Sequence, residues 1–476
     1  MKRGALRGKI CVMKTINPSA KRVAPQTQCT TQLSLRIPGL RRVDVSFDAP
    51  EVSSDGGALL LRAVDEEVGL TAAFAAALRD RRDPTKVVHE ALDLCRQRIY
   101  GIALGYEDCN DARTLAGDPV LKAACGRAPD SGVNLASQPT LSRFENAVRS
   151  SEIRSLRRAL EDQWLASLSP ETEVIVLDLD ATDDPVHGGQ QLSLFNGFYD
   201  QHMYLALLVF DGEGRLVTAA LRPGTTHPCR GAASLVARLI RKVRRRFPEA
   251  LIVVRADAAF SMPAMLERLE RLDRELGGVD FLFGLARNRV LERKLEPAME
   301  VARERYRREG KKVREFTEFA YAARTWTRAR RVVGKAEYGA QGANPRFVIT
   351  SLEGFPPEVI YRAYCERGRC ENFIKDLKNA LAGDRLSCTR FQANEFRLLL
   401  HAAAYCLLYA VRERAGRYSQ ELGRAQMDTL RLRLLKVGAL VREAVRRIHV
   451  RLPRSFAFAR VFAAVATGVD PPPLPA

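Results

Sequence analysis

No CxxC pair and no His-rich segment occurs in the chain, which excludes a structural zinc site of the usual spacing. Its ten cysteines are scattered from Cys11 to Cys406, the usage of a reduced, intracellular protein and not of a disulfide-stapled secreted one. No apolar run is long enough to span a bilayer. The longest, Leu398 to Val411, contains His401 and falls short of the roughly 20 residues required, so it reads as a buried helix. Acid is absent from the first 43 residues, which carry ten Lys or Arg but lack the apolar stretch of a secretory signal. Internal repeats and low-complexity blocks are also missing.

What is present is core-forming sequence with a strong cationic excess. With 476 residues, 46% of them hydrophobic, the chain can bury cores for two or three domains. The 76 Lys and Arg outnumber 56 Asp and Glu, a net charge of +20 that favours a polyanionic partner, nucleic acid first. Residues 1–57 are polar and basic and are expected to form a poorly ordered arm. Helical spacing dominates residues 58–170, an all-helical N-terminal domain expected to bind DNA. Its helix from Thr140 to Val148 follows Pro139 and offers polar side chains at its start.

The period then changes to that of strands. Strands are expected at Glu173–Ala181, His202–Phe210 and Arg215–Leu221. A helix follows at Gly231–Phe247, a strand at Ala250–Ala256, a helix at Met262–Leu276 and a strand at Val279–Leu285. The order βββαβαβ over residues 171–286 predicts the α/β, ribonuclease H-like mixed-sheet core, entered through a meander and continued by crossovers. Residues 287–355 read as a β-rich insertion: a charged helix, Val290–Gly310, then strands Arg314–Tyr321, Thr325–Val333 and Arg346–Thr350. Residues 356–455 return to helices, at Pro357–Ala382, Asn394–Ala415 and Met427–Arg447. Residues 456–476 read as a tail.

Three places gather acid in a way that suggests chemistry. Period-two alternation puts Asp178 and Asp180 on one face at the end of the first core strand. Bare carboxylates beside an apolar strand are costly unless a cation or donors satisfy them. Asp257 directly follows the strand Leu251–Ala256, and open α/β sheets place ligands at the carboxyl ends of their strands. On the helix beginning near Pro357, Tyr364, Arg367, Glu371 and Lys378 fall within an arc of about 60°, with Lys375 beside it. A solvated strand end and an ordinary charged helix face are the competing readings.

These residues carry a resemblance. The Tyr-x2-Arg-x3-Glu-x6-Lys spacing of Tyr364, Arg367, Glu371 and Lys378 resembles the signature of a group of DDE transposases of bacterial insertion sequences. The stretches Leu177 to Gly188, Leu194 to Tyr199 and Val254 to Phe260 further look like the insertion sequence 1380-type branch. The resemblance implies a catalytic triad of Asp180, Asp257 and Glu371, with Asp178 the alternate for the first acid. It also implies two Mg²⁺ ions about 3.5 to 4 Å apart, with Mn²⁺ an acceptable substitute. Arg367, Lys375 and Lys378, supported by Tyr364, would grip phosphates. In the insertion, Arg324, Trp326, Arg328 and Arg330 alternate as though on one strand face, suited to backbone grip and base stacking. His187 and His227 are expected to be structural or DNA-facing.

The implied function is cut-and-paste DNA transposition: metal-dependent cleavage at the ends of a mobile element, then strand transfer into target DNA. Double-stranded DNA is the partner, a dimer in the synaptic complex is expected, and the setting is the bacterial cytoplasm at the nucleoid, away from membranes. A related nuclease without strand transfer would use the same triad. A non-catalytic DNA-binding descendant is the third reading, and the intact triad argues against it.

Overall fold

The computed structural model describes residues 33–469 apart from Leu40 and Ala49, so residues 1–32 of the expected arm lie outside the described residues. The chain divides into two compact units at Pro50. In the first, β1 (Leu33–Leu35) pairs antiparallel with β2 (Val43–Val45). The second begins inside the expected arm, which is a correction. There β3 (Val52–Ser53) joins a sheet, and Asp55 is buried because it accepts a 2.8 Å hydrogen bond from Tyr106 and pairs with Lys436 at 2.6 Å.

Residues 58–167 are helical as the spacing predicts, with α1 (Ala58–Val68), α2 (Leu70–Ala77), α3 (Ala91–Ala103), α4 (Ala112–Leu115), α5 (Pro119–Ala124), α6 (Gln138–Ala147) and α7 (Ser150–Ser167). Gly69, at φ 71°, closes α1 and opens α2 in a left-handed conformation that a side chain would strain. Within this helical layer Glu145 is buried between Arg98, at 2.8 Å, and Arg397, at 3.4 Å.

Next come β4 (Val174–Pro185), β5 (Leu194–Asn196), β6 (Gln201–Asp211), β7 (Leu216–Ala220), α8 (Ala232–Arg246), β8 (Leu251–Ala256), α9 (Pro263–Leu276), β9 (Val279–Leu285) and α10 (Arg289–Glu309). They are followed by β10 (Val313–Tyr321), β11 (Arg330–Gly339), β12 (Gly342–Ala343) and β13 (Arg346–Thr350). Ten of these strands form one mixed sheet in the order β10-β11-β13-β9-β8-β4-β6-β5, with β12 on β11 and β7 on β6. β4 runs parallel to β8, and β8 to β9, while β6 is antiparallel to β4. The expected β-rich insertion is therefore no separate sheet: β13 pairs with β9 and carries β11 and β10 outward.

Alternation along β6 sorts its apolar residues between two cores. Tyr204, Ala206, Leu208 and Phe210 pack with the helical layer, and Leu207 and Val209 pack with the layer of α8, α9 and α10. Fully burying each such large side chain stabilises by about 1.5–3 kcal/mol, which is why both faces of the central strands are covered.

Four more expectations need correction. The strand expected from Thr325 starts only at Arg330, because Tyr321 pairs with Arg330 and residues 322–329 form the connecting turn. The helix expected at Pro357–Ala382 is α11 (Pro357–Cys365) and α12 (Arg369–Lys375), joined by a 3₁₀ turn at Glu366–Gly368 and followed by a π turn at Asp376–Ala380. After α13 (Phe391–Gly416), α14 (Gln420–Gly423) and α15 (Met427–Leu430), the expected helix gives way at Gly438 to a hairpin of β14 (Ala439–Ala444) and β15 (Arg447–Arg451). Its partner is β3, nearly 400 residues earlier, a pairing that local periodicity cannot announce. The expected tail contains α16 (Ala459–Thr467).

α13 is buried as its apolar run predicts. His401 lies wholly inside, with Nδ1 at 2.6 Å from the Leu381 carbonyl. Among the described residues, no helix is long and apolar enough to cross a membrane.

Candidate active site

The register of the central strands places the first two acids. β4 pairs Leu179 with Ala256 of β8, so Asp180 and Asp257 are each the next residue along two adjacent parallel strands. Asp257 caps the turn that follows, accepting the Ala259 N–H at 2.9 Å. Asp180 is mostly buried. It accepts the Ala181 N–H at 2.9 Å and pairs with the Arg367 guanidinium at 2.9 Å.

Electrostatics join the third acid to these two. Burial pushes the Asp180 carboxyl up to about 6; Arg367 opposes that shift, and the negative charges of Asp257 and Glu371 add to it. Glu371, on α12, is exposed, and its charge is felt at Asp180. Three carboxylates thus share a neighbourhood with one guanidinium among them.

Asp178 has a different fate. Although alternation puts it on the same face as Asp180, its carboxylate is buried and held by Arg255 of β8 through two 2.7 Å hydrogen bonds. Arg255 donates a third, also 2.7 Å, to the Ala363 carbonyl of α11. Sequence reasoning missed this clamp, although Arg255 stands two residues before Asp257 in a stretch it had singled out.

The rest of the helical signature is divided. Tyr364 is half-buried; its phenol sits so close to Gly284 of β9 that a Cβ there would come within 2.5 Å of its oxygen. That Gly284 is needed for this approach was also missed. Lys378, inside the π turn, donates to the Asp183 carbonyl at 2.6 Å and approaches Thr182 at 3.3 Å and Asp384 at 3.8 Å. It latches the helix to the end of β4. Lys375 is exposed.

The residues expected to line a strand face in the insertion do not do so. Arg324, Trp326 and Arg328 lie in the turn between β10 and β11. Trp326 is half-buried, packed edge-on against Tyr321 at 5.4 Å and under the Arg330 guanidinium at 5.1 Å. Arg330 and Arg328 both pair with Glu270 of α9. The alternation therefore fails, and packing accounts for the tryptophan. Arg324 remains exposed, and His187 and His227 are exposed loop residues.

Among the described residues no three Asp, Glu, His or Cys are gathered closely enough to hold a metal ion as they stand. The donor chemistry nevertheless fits one. Asp180, Asp257 and Glu371 offer only carboxylate oxygens, the preference of a hard divalent cation, and their mutual repulsion at Asp180 is what such a cation relieves.

Carboxylates side by side where two parallel strands stop pairing, with an arginine from the turn before α12 on one of them, form a class of site suited to phosphate chemistry. The chain belongs to the family described as Transposase DDE domain group 1, whose model it matches over residues 36–472, and it is a DNA transposase of the DDE type. Among solved structures it is similar to a piggyBac transposase in a synaptic complex with hairpin DNA, at 10% identity and a TM-score of 0.40 over 79% of each chain. No curated protein matches its sequence.

Proposed function

We propose that the chain moves a bacterial insertion sequence by cut-and-paste, with Asp180, Asp257 and Glu371 as its acidic triad. The observation that carries this reading is the register that sets Asp180 and Asp257 level on neighbouring strands. Arg367, four residues before Glu371, ties the start of α12 to Asp180 through a 2.9 Å ion pair. The ribonuclease H-like description is supported by a central β4 with an antiparallel β6-β7 meander on one side and parallel β8 and β9 on the other. Membership of the Tyr-x2-Arg-x3-Glu-x6-Lys group rests on Tyr364, Arg367, Glu371 and Lys378.

Asp180, Asp257 and Glu371 would hold two divalent cations, Mg²⁺ or Mn²⁺. When bound, such a pair activates the attacking oxygen and stabilises the leaving one. The chain's own residues supply the rest. β4 and β8 fix the two aspartates on a rigid sheet, and the Arg255 clamp keeps Asp178 out of the reaction. Arg367 neutralises Asp180 at rest; released from it, the guanidinium is placed to bind a phosphate oxygen of the DNA. Tyr364, wedged over Gly284, anchors the end of α11 before the turn into α12, which carries Glu371, and Lys378 anchors the π turn that follows α12. Lys375 and Arg324, both exposed, extend the cationic surface for backbone contact.

Double-stranded DNA, both element ends and target, is the substrate. Two chains would synapse the ends, at the nucleoid of a bacterial cytoplasm.

The test is an incubation of the protein and its Asp257→Ala variant with labelled duplexes from the DNA flanking its gene, target plasmid and Mg²⁺. End cleavage with joined product, absent from the variant, is the expected result. Cleavage without joining under the same conditions favours a nuclease, and identical DNA binding by both proteins without cleavage removes the catalytic assignment.

A further inference from the structure

A cavity on the far side of the central sheet from the acids is walled by arginine. Its volume of about 430 Å³ falls within the roughly 300–1,000 Å³ of small-molecule sites. Arg154, Arg157 and Arg158 enter it from α7, Arg222 and Arg230 from the connection between β7 and α8, and Arg238 from α8. Leu207, Ala220, Leu221 and Leu235 form most of the remaining wall, and no Asp or Glu lines it.

The register sets the cavity apart from the acidic site. Leu208, which pairs with Asp180, packs with the helical layer, whereas Leu207, next to it on β6, packs with the layer of α8. Ala220 of β7 pairs with Leu207. Alternation therefore puts the cavity and Asp180 on opposite faces of one sheet.

Two of the guanidinium groups are neutralised. Arg157 pairs with Glu395, and Arg238 donates to the buried Glu161 at 2.7 Å. Arg154, Arg158 and Arg230 are exposed and have no carboxylate partner among the described residues. Arg222 is only 8% exposed. It donates to the Leu205 and Arg230 carbonyls, each at 3.2 Å, and to the Pro228 carbonyl at 2.5 Å, which leaves Nη2 buried without a partner.

Burial pushes the Arg222 guanidinium down to about 10, and no carboxylate offsets that push. A buried charge held only by carbonyls is costly, and an anion beside it removes the cost. α8 adds to the same field. It opens at Gly231, φ 78°, with no acid in its first turn, and Ser234 of that turn lines the cavity.

We propose that this cavity binds a small soluble polyphosphate, nucleotide-sized or less, by its terminal phosphate. Arginine forks match phosphate oxygens in pairs. Arg222 is buried where Arg154, Arg158 and Arg230 are exposed, so it forms the floor and they form the rim. A terminal phosphate, esterified on one side, can enter as far as the floor. A backbone phosphate of duplex DNA, esterified on both sides, stays at the rim. The site stands independently of the reading of Asp180, Asp257 and Glu371.

Inorganic triphosphate is the probe, titrated calorimetrically into the full-length protein in EDTA at roughly 0.15 M salt, where surface attraction is screened beyond about 8 Å. One saturable site is expected, with Arg158 and Arg230 shielded from phenylglyoxal, as mapped by mass spectrometry. Arg222→Met should weaken binding about tenfold or more, the loss of one hydrogen bond to a charged group. Because Arg222 also holds three carbonyls, Arg158→Ala with Arg230→Ala tests the same site through exposed residues and should weaken binding in the same direction. Arg293→Ala with Arg307→Ala removes equal charge from exposed positions on α10 and should bind as the wild type does, as should Asp257→Ala.

Equal weakening in the α10 variant, or binding that never saturates, assigns the effect to general attraction of polyanions and overturns the inference. An element-end duplex that shields Arg158 and Arg230 where inorganic triphosphate does not assigns these arginines to DNA and equally overturns it. Either result leaves the test of DNA cleavage untouched.

Discussion

Replacing Arg255 tests whether Asp178 is a structural acid, apart from the proposed triad. In Arg255→Met the stem of the side chain remains and the guanidinium goes. Asp178 then keeps a carboxylate with 2% side-chain exposure and no cation, and the Ala363 carbonyl loses its donor. Breaking a buried pair by removing one partner costs about 3–5 kcal/mol. Against a total stability of about 5–15 kcal/mol, that is a fifth or more of what holds the chain folded. Asp178→Leu alone leaves Arg255 buried and uncompensated, with a cost of the same order. The double variant, Asp178→Leu with Arg255→Met, buries two apolar side chains and should recover most of the loss. Guanidinium unfolding followed by fluorescence of Trp164 and Trp326 reads all four proteins. Single variants within about 1 kcal/mol of the wild type would refute the clamp. So would an Asp178→Asn protein of normal stability that binds DNA and cannot cleave it, because Asp178 would then be the first acid of the triad.

Other outcomes follow from the same geometry. Asp184 is fully buried, and burial holds its carboxyl well above the ordinary range. The folded state therefore keeps a proton that the unfolded chain loses near pH 4, and stability declines as pH rises above that value. Asp184→Asn should raise the unfolding temperature at pH 8 and change it little at pH 4; an equal gain at both pH values would contradict the assignment. Gly284→Ala drives a methyl group against the Tyr364 phenol and should lower cleavage roughly 100-fold, with end-duplex affinity within a few-fold of wild type in a gel-shift assay. Lys378→Met releases the end of the signature helix from β4, so amide exchange over residues 369–380 should quicken. Glu145→Ala leaves Arg98 and Arg397 buried without their shared anion and should cost about 3–5 kcal/mol in the same unfolding assay.

The parts legible in sequence were those set by local period and fixed spacing. β6, α8, β8, α9 and β9 emerge within a residue or two of their expected ends, because an apolar run bounded by Gly, Pro or Asp leaves few alternatives. Asp257 was legible in the same way, directly after β8, whereas Asp180 lies inside β4, which runs on to Pro185 where an end at Ala181 was expected. What was not legible depended on partners distant in the chain. Alternation could not tell Asp178 from Asp180, because the distinction is made by Arg255 on another strand. The hairpin at Ala439–Arg451 was read as helix because its partner, β3, comes from the other end of the second unit. Trp326 looked available for DNA because a turn between two strands can mimic alternation over four residues, and only the Tyr321 to Arg330 pairing shows where the strand begins.

The continuity of the central sheet also bears on how this chain can be cut or extended. β13 supplies the hydrogen-bonding partner of β9, which borders β8 and so the strand end that carries Asp257. Deleting residues 289–350 would strip the active-site sheet back to a bare seven-residue edge at β9, with Phe281 and Phe283 losing part of their cover, and an edge of that kind invites association between molecules. Shortening the gap between Asp257 and Glu371 is therefore not a neutral trimming of a passenger. Fusions and added modules belong at the turn of residues 322–329 or on the outer side of β10, where the sheet ends among the described residues.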